Sequence, residues 1–315
     1  MRIQQLEYLE KIAAIGSINE AAKSLFLSQP TLSNAIKELE TEMGICLLHR
    51  SKSGVSLTEE GLEFLSYARQ VIDQVELLEK RYKHTKQRDS RLSISSQHYA
   101  FSVHAFVEFI HSYEDDSYQF TLRETETQNI LEDVAGFRSE IGILFLSDFN
   151  RQIMEKLFEE KNLVFSPLFQ ATPHIFISKD NPLAAKASVT LEELDELPYL
   201  SFEQGDGNSF YFAEEILSTR TYKKHIKVSD RATIFNLMVG LNGYTFSSGI
   251  ISRELNDDSI VAIPLDISDQ IEIGWIKSRR STLSALGEHY LGTLKRHIRD
   301  YGFATIEEDV YEKNY

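Results

Sequence analysis

Cysteine is almost absent from this chain: Cys46 is the only one in 315 residues. One thiol excludes an internal disulfide framework and points to a reducing compartment. No apolar run approaches the roughly 18 residues that a membrane span needs. The opening stretch MRIQQLEYLEK has no apolar core and carries Glu7 and Glu10 early, unlike a signal peptide. A cytoplasmic location is therefore expected. The patterns G-x-S-x-G, H-E-x-x-H, the P-loop and G-x-G-x-x-G are all missing, so an enzyme is not expected, nor a cofactor or metal. Cys46 itself sits in the apolar stretch Ile45–Leu48 and is expected to be a buried small hydrophobe. Internal repeats and low-complexity tracts are absent too.

Positive charge is also short. Lys+Arg number 33 against 48 Asp+Glu, a net charge of −15. That sum opposes nucleic-acid binding, but its distribution matters more. Residues 1–88 hold 12 cations and 12 anions and are neutral, while residues 89–315 hold 21 and 36 and carry the whole excess. The length suits two or three domains.

The most informative stretch runs from Gly16 to Glu40. Ser17 and Glu20 have capping-box spacing, and Ile18, Ala21, Ala22 and Leu25 share one helical face. Phe26, Leu27 and Ser28 read as a turn. Ser28 or Gln29 caps a second helix with Pro30 in its first turn. Leu32, Ala35, Ile36 and Leu39 point inward, which leaves Gln29, Thr31, Ser33, Asn34 and Lys37 outward. A plain solvated hairpin usually carries more Glu and Lys there. Short hydroxyl and amide side chains suit a helix that enters the DNA major groove. Residues 2–14, with Ile3, Leu6, Leu9, Ile12 and Ala13 at helical spacing, close the core beneath.

These features resemble the DNA-binding domain of LysR-type transcriptional regulators. The matching pieces are Leu6–Leu9, Gly16 to Ala22, and Leu27-Ser28-Gln29-Pro30-Thr31-Leu32-Ser33. Ile36, Leu39-Glu40, Gly44, Leu47-Leu48, Arg50 and Leu57-Thr58-Glu59-Glu60-Gly61 follow in register. Phe26 departs from the Gly that many helix-turn-helix turns carry, and Leu48 from a common Phe. The resemblance extends more loosely over the rest of the chain. It implies an α plus α/β architecture: a winged helix-turn-helix, a long dimerisation helix, and a two-subdomain α/β effector domain like periplasmic binding proteins.

His49 to Ser56 reads as a hairpin with a Ser-Gly turn, or as a solvated loop. The resemblance makes it a wing, with Arg50 and Lys52 on phosphates or in the minor groove. The expected DNA-contacting set is Ser28, Gln29, Pro30, Thr31, Ser33, Asn34, Lys37, Arg50 and Lys52, on double-stranded promoter DNA. Residues 1–58 form that domain. Thr58 caps a helix over 59–83, about 35 Å long at ~1.5 Å per residue. Its stripe of Leu62, Leu65, Ala68, Ile72, Val75, Leu78 and Tyr82 calls for a partner helix, which the resemblance identifies as a second subunit. A homodimer and, beyond it, a homotetramer are implied, with RNA polymerase as a further partner.

Residues 84–91 are polar throughout and read as a hinge. Strands then alternate with helices, the pattern of a mostly parallel sheet. Expected strands are 92–95, 119–124, 141–145, 163–168, 174–178, 199–202, 226–228, 244–247, 260–263 and 271–275. Expected helices include 101–113, 127–137, 191–194, 209–217, 231–239 and 282–299. The effector domain covers 92–302, with subdomain 1 as 92–165 plus 268–302 and subdomain 2 as 166–267. An acidic tail covers 303–315 and is expected to fray from Thr305 to Tyr315.

Ligands of open α/β sheets sit beyond strand ends. Ser95, Ser96 and Gln97 lie at such a junction, where they are either helix caps or carboxylate ligands. The resemblance favours an effector site there, joined by Phe145, Ser201, Phe202, Glu203, Gly243, Tyr244 and Thr245. The Ser-Ser-Gln junction is similar to regulators of cysteine and methionine metabolism, whose effectors are acylated serine-type compounds. Other small carboxylates and aromatic acids compete with that assignment. A cytoplasmic solute-binding protein without DNA function is the alternative class.

Overall fold

A computed structural model of the chain describes residues 1–51, 54–83, 90–114, 117–205, 209–251 and 258–306. The chain forms two compact units, Met1–Arg88 and Asp89–Tyr315. No helix among the described residues is long and apolar enough to cross a membrane.

The first unit is built from α1 (Ile3–Ile15), α2 (Ile18–Ser24), α3 (Gln29–Met43), β1 (Leu48–Ser51), β2 (Gly54–Leu57) and α4 (Glu59–Lys83). Gly16 ends α1 in the left-handed conformation at φ 74°, which a residue with a Cβ adopts only with strain. Ser17 caps α2 by accepting the Glu20 N–H at 3.4 Å. Only this half of the expected capping box forms, because the Glu20 carboxylate instead takes Lys23 at 2.8 Å. Leu6, Leu9, Ile12, Ala21, Leu32, Ile36 and Leu39 interlock as the core. Ile3 stays outside that core and is exposed. The wing strands β1 and β2 pair antiparallel, Leu48 opposite Leu57. Gly61 lets α4 start against the wing base: a Cβ there would lie 2.1 Å from the Leu47 carbonyl oxygen.

Two expectations for this unit need correction. Cys46 is exposed rather than buried, with its Sγ 3.8 Å from Glu40 Oε1. Leu65, Ala68 and Ile72 are not open to a partner helix, because they are buried in the first unit's own core. Their helix face packs on α1, tied by Arg69 Nε to Glu10 Oε1 at 2.9 Å. Val75 is half-buried, and Leu62, at 65% exposure, projects away from that core.

The second unit continues with β3 (Ser90–Ser96), α5 (Ala100–His111), β4 (Tyr118–Glu124), α6 (Thr127–Ala135), β5 (Ile141–Leu146), α7 (Arg151–Glu160), β6 (Leu163–Ala171) and β7 (His174–Ser178). Then come α8 (Leu191–Leu194), β8 (Tyr199–Phe202), β9 (His225–Val228), α9 (Arg231–Leu241), β10 (Tyr244–Ser247), β11 (Ile260–Pro264), β12 (Ile271–Ser278) and α10 (Ala285–Asp300). They build two five-stranded sheets, ordered β4-β3-β5-β12-β6 and β11-β7-β10-β8-β9. In the first, β4, β3 and β5 are parallel, and β12 is antiparallel to both β5 and β6. In the second, β10, β8 and β9 are parallel, and β7 is antiparallel to β10 and β11. Each sheet is thus mostly parallel with one reversed strand.

The chain crosses between the two lobes twice, from β6 to β7 and from β11 to β12. The expected subdomain boundary at 165/166 falls inside β6, which stays paired with β12 as far as Ala171 opposite Ile271. The crossing comes at Thr172–Pro173. The expected helix over 209–217 is a single 3-10 turn, Phe210–Phe212, because the following residues turn into the space between the lobes. Of the expected hinge, residues 84–89 lie outside the described residues, and Ser90 and Arg91 already belong to β3. Of the expected acidic tail, Phe303 packs on Phe169 and the Ile306 N–H donates to the Leu168 carbonyl at 2.8 Å. Residues 307–315 lie outside the described residues.

Candidate functional site

In the first unit, α3 presents its polar face outward. Ser28 caps the helix: its Oγ accepts the Thr31 N–H at 3.2 Å and meets Thr31 Oγ1 at 2.7 Å. Ser28 and Thr31 thereby fix the start of the helix. Gln29, Pro30, Asn34 and Lys37 are exposed along it. Ser33 is half-buried and accepts a hydrogen bond from Arg50 Nη1 at 3.0 Å. The wing arginine is thus held beside the helix that would read bases. Lys52 lies outside the described residues. Glu40, on the inner side of α3, accepts the Leu47 N–H at 2.8 Å and the Leu48 N–H at 3.1 Å. That carboxylate fixes the wing base to α3.

In the second unit, a cavity of about 50 Å³ lies between the lobes. Phe101, Phe145 and Ile273 of the first lobe and Phe176, Ile234 and Phe246 of the second supply apolar wall. Polar groups gather at one end. Glu214 accepts the His98 backbone N–H at 2.9 Å and faces His98 Nδ1 at 2.9 Å. Gln204 Nε2 donates to its other oxygen at 2.9 Å. The side chains of His98 and Glu214 are only 5% and 3% exposed. Phe202 stacks on the His98 ring with centroids 4.0 Å apart. Burial alone would lower the His98 pKa, but the hydrogen bond and charge of Glu214, with Glu124 behind, hold it above the ordinary 6.5. Glu215 accepts the Phe202 N–H at 2.8 Å. Burial first, then the Glu214 charge, pushes its carboxyl well above the usual range.

Further bonds tie the lobes together. Arg231, the first residue of α9, grips Glu124 of β4 through Nε at 3.0 Å and Nη2 at 3.3 Å. The Thr127 N–H donates to Gln204 Oε1 at 3.0 Å, and Thr127 Oγ1 donates to the Phe212 carbonyl at 2.8 Å.

Of the expected effector residues, Phe145, Phe202 and Thr245 line this cavity. The others are engaged elsewhere. Ser95 Oγ donates to Asp133 at 2.7 Å and Ser96 Oγ to the Gln97 carbonyl at 2.7 Å. Gln97 is held by Thr127 at 2.6 Å and the Phe145 N–H at 3.0 Å. Ser201 bonds His225 Nε2 at 2.8 Å, and Glu203 is exposed. Gly243 approaches the Pro198 carbonyl, and Tyr244 is buried against Tyr199. None of these seven lines the cavity. His98, Glu214, Glu215 and Arg231 were not expected. The only signal for the two carboxylates is a Glu doublet set between Phe212 and Ile216.

A second cluster lies apart from the cavity. His104 and Glu108 on α5 and His297 on α10 bring ligand atoms within 4.8 Å of one another, a donor set compatible with a transition metal.

Two family models match the chain. One, described as a bacterial regulatory helix-turn-helix protein of the lysR family, covers residues 3–62, and the other, the LysR substrate binding domain, covers residues 88–299. The chain belongs to the LysR family. It is a DNA-binding transcriptional regulator with an effector-binding domain. The chain is 24% identical to a hydrogen peroxide-inducible genes activator of Pectobacterium carotovorum, covering 96% of this chain and 98% of that protein. It is 27% identical to the transcriptional activator CmpR of Synechocystis, with the same coverage of each. To AlsR of Bacillus subtilis it is 25% identical over 92% of this chain and 94% of that one. A solved structure of an OxyR cysteine mutant from Corynebacterium glutamicum shares the fold at TM-score 0.55 and 21% identity, covering 95% and 94%. These relatives are regulators, not enzymes, and do not single out the cysteine and methionine branch.

Proposed function

We propose that this LysR-family regulator reads promoter DNA with α3 and the wing, as a homo-oligomer whose DNA binding is set by a small molecule in the interlobe cavity. The outward face of α3 carries the proposal. Gln29, Ser33 and Asn34 are amide and hydroxyl groups of the kind that read base edges, and Lys37 and Arg50 are the cations we assign to phosphates. A neutral first unit with so few cations on one face binds weakly alone, so several heads must act together. Such a protein works where the DNA is, in the cytoplasm, with RNA polymerase as the machinery it influences.

Tyr67, Val71 and Leu78 follow one another along the exposed side of α4, about a third of a turn from the face buried on α1. A second copy of α4 is the partner we assign to that stripe. Interlobe closure is the second moving part. A ligand that favours one arrangement of the Arg231–Glu124 and His98–Glu214 ties over another shifts the population of lobe arrangements.

Acylated serine compounds receive no support from the geometry, since Ser95, Ser96 and Gln97 already bond within the fold. Residues 89–315 contain no cysteine, so a thiol–disulfide response within that unit is unavailable. The test is a DNA titration with the region upstream of the protein's own gene at two salt concentrations, alongside a Gln29→Ala, Ser33→Ala, Asn34→Ala variant. We expect tight, salt-sensitive binding whose site preference disappears in the variant. Equal site preference in both proteins would show that α3 does not read bases.

A further inference from the structure

We propose that the Glu214 carboxylate is a built-in occupant of the cavity's anion position, so that the regulator's ligand is a small uncharged molecule, mostly apolar with one hydrogen-bonding group, rather than a carboxylate. This rests on the interlobe cavity being the ligand site.

Three observations argue against a carboxylate. A position suited to a ligand carboxylate, where β3 runs into α5, is taken from within: the His98 N–H, the His98 ring and the Gln204 amide all converge on Glu214. A second anion there would lie against the Glu214 carboxylate. The remaining cation at the rim, Arg231, is held by both oxygens of Glu124. No free cationic partner therefore awaits a carboxylate among the described lining residues.

What the cavity does offer is different. Thr245 Oγ1 is buried without a hydrogen-bond partner among the described residues, on a residue only 4% exposed, and it lines the cavity. A buried hydroxyl without a partner is costly, and a ligand with one donor or acceptor would satisfy it. The rest of the wall is aromatic and aliphatic. Size agrees with this: one water needs about 10–15 Å³ of such volume, so a cavity of about 50 Å³ suits a ligand of a few heavy atoms.

The experiment compares isobutanol with isobutyrate on the full-length protein without DNA, by ligand-observed NMR titration and fluorescence of the single tryptophan, Trp275, which is buried two residues from Ile273 of the cavity wall. In the native protein isobutanol should bind at least tenfold more tightly than isobutyrate. In Glu214→Ala the vacated N–H groups should raise isobutyrate affinity at least tenfold and change isobutanol affinity less than threefold. Glu214→Gln, which keeps the shape and removes the charge, should narrow the discrimination in the same direction and serves if the alanine variant fails to fold. Isobutyrate binding to the native protein as tightly as isobutanol would overturn the proposal. So would an isobutyrate affinity that neither substitution raises. Because no DNA is present, failure here leaves the DNA-reading assignment untouched, and failure of the DNA titration leaves this result standing.

Discussion

Phe26 sits in the helix-turn-helix turn at φ 55° with its ring 97% exposed. A residue with a Cβ in the left-handed region bears a penalty that glycine escapes, and this ring buries nothing in the first unit to offset it. Phe26→Gly should therefore stabilise the first unit by about 1 kcal/mol, read by chemical denaturation. A loss of stability would mean the ring has a packing partner. Glu40 works in the opposite sense. It satisfies two backbone N–H groups at the wing base, so Glu40→Ala should cost about 1–3 kcal/mol and loosen Arg50 from Ser33. Amide exchange at Leu47 and Leu48 would report it, and unchanged protection there would count against it. His98 is one titratable group of the cavity. Its folded pKa lies above 6.5, so its contribution to stability is fully present below that value and is lost as pH rises through the raised pKa. An NMR titration should place its ring above 6.5 in the native protein and lower it in Glu214→Gln. A native value below 6.5 would show that burial outweighs Glu214.

At the scale of elements, α4 divides its faces between two tasks. Leu65, Ala68 and Ile72 belong to the first unit's core, while Tyr67, Val71 and Leu78 remain exposed. Tyr67→Glu with Leu78→Glu should shift the protein toward monomer in sedimentation without unfolding the first unit, whereas Leu65→Ala should destabilise that unit by about 2–5 kcal/mol. An unchanged oligomer in the double variant would place the subunit contact elsewhere. Helical periodicity alone marks both stripes as apolar and does not say which one α1 covers. The strands were legible because their β-branched and aromatic runs stand between turn residues, as in Ile141–Leu146 and His174–Ser178. The segment 209–217 was not legible as a cavity wall. Its composition suits a helix, and only tertiary partners such as Thr127 and His98 draw its carbonyl and carboxylates inward. The end of β6 was hidden likewise, since its pairing with β12 runs on past Leu168 to Ala171 through a register shift between Ile273 and Gly274 that only the partner strand sets. The hydroxyls of Ser95 and Ser96 show the same limit, because Asp133, which takes Ser95, lies 38 residues away.

At the scale of the whole molecule, a DNA-binding head with few cations and a cavity between lobes belong to one chain, and the proposed regulation requires that the two be thermodynamically linked. The charge division fits the proposed separation of tasks, with the neutral first unit on DNA and the acidic second unit, which holds the whole −15, away from it. The most direct measurement is a titration of the upstream DNA, with affinity and footprint length recorded, comparing the native protein with Arg231→Ala, which breaks an interlobe tie far along the chain from α3. Coupling energies of this kind are about 1–3 kcal/mol, so we expect a change of about fivefold or more in affinity, or a changed footprint, with α3 intact. Identical affinity and footprint in the two proteins would contradict a regulator switched through its interlobe cavity.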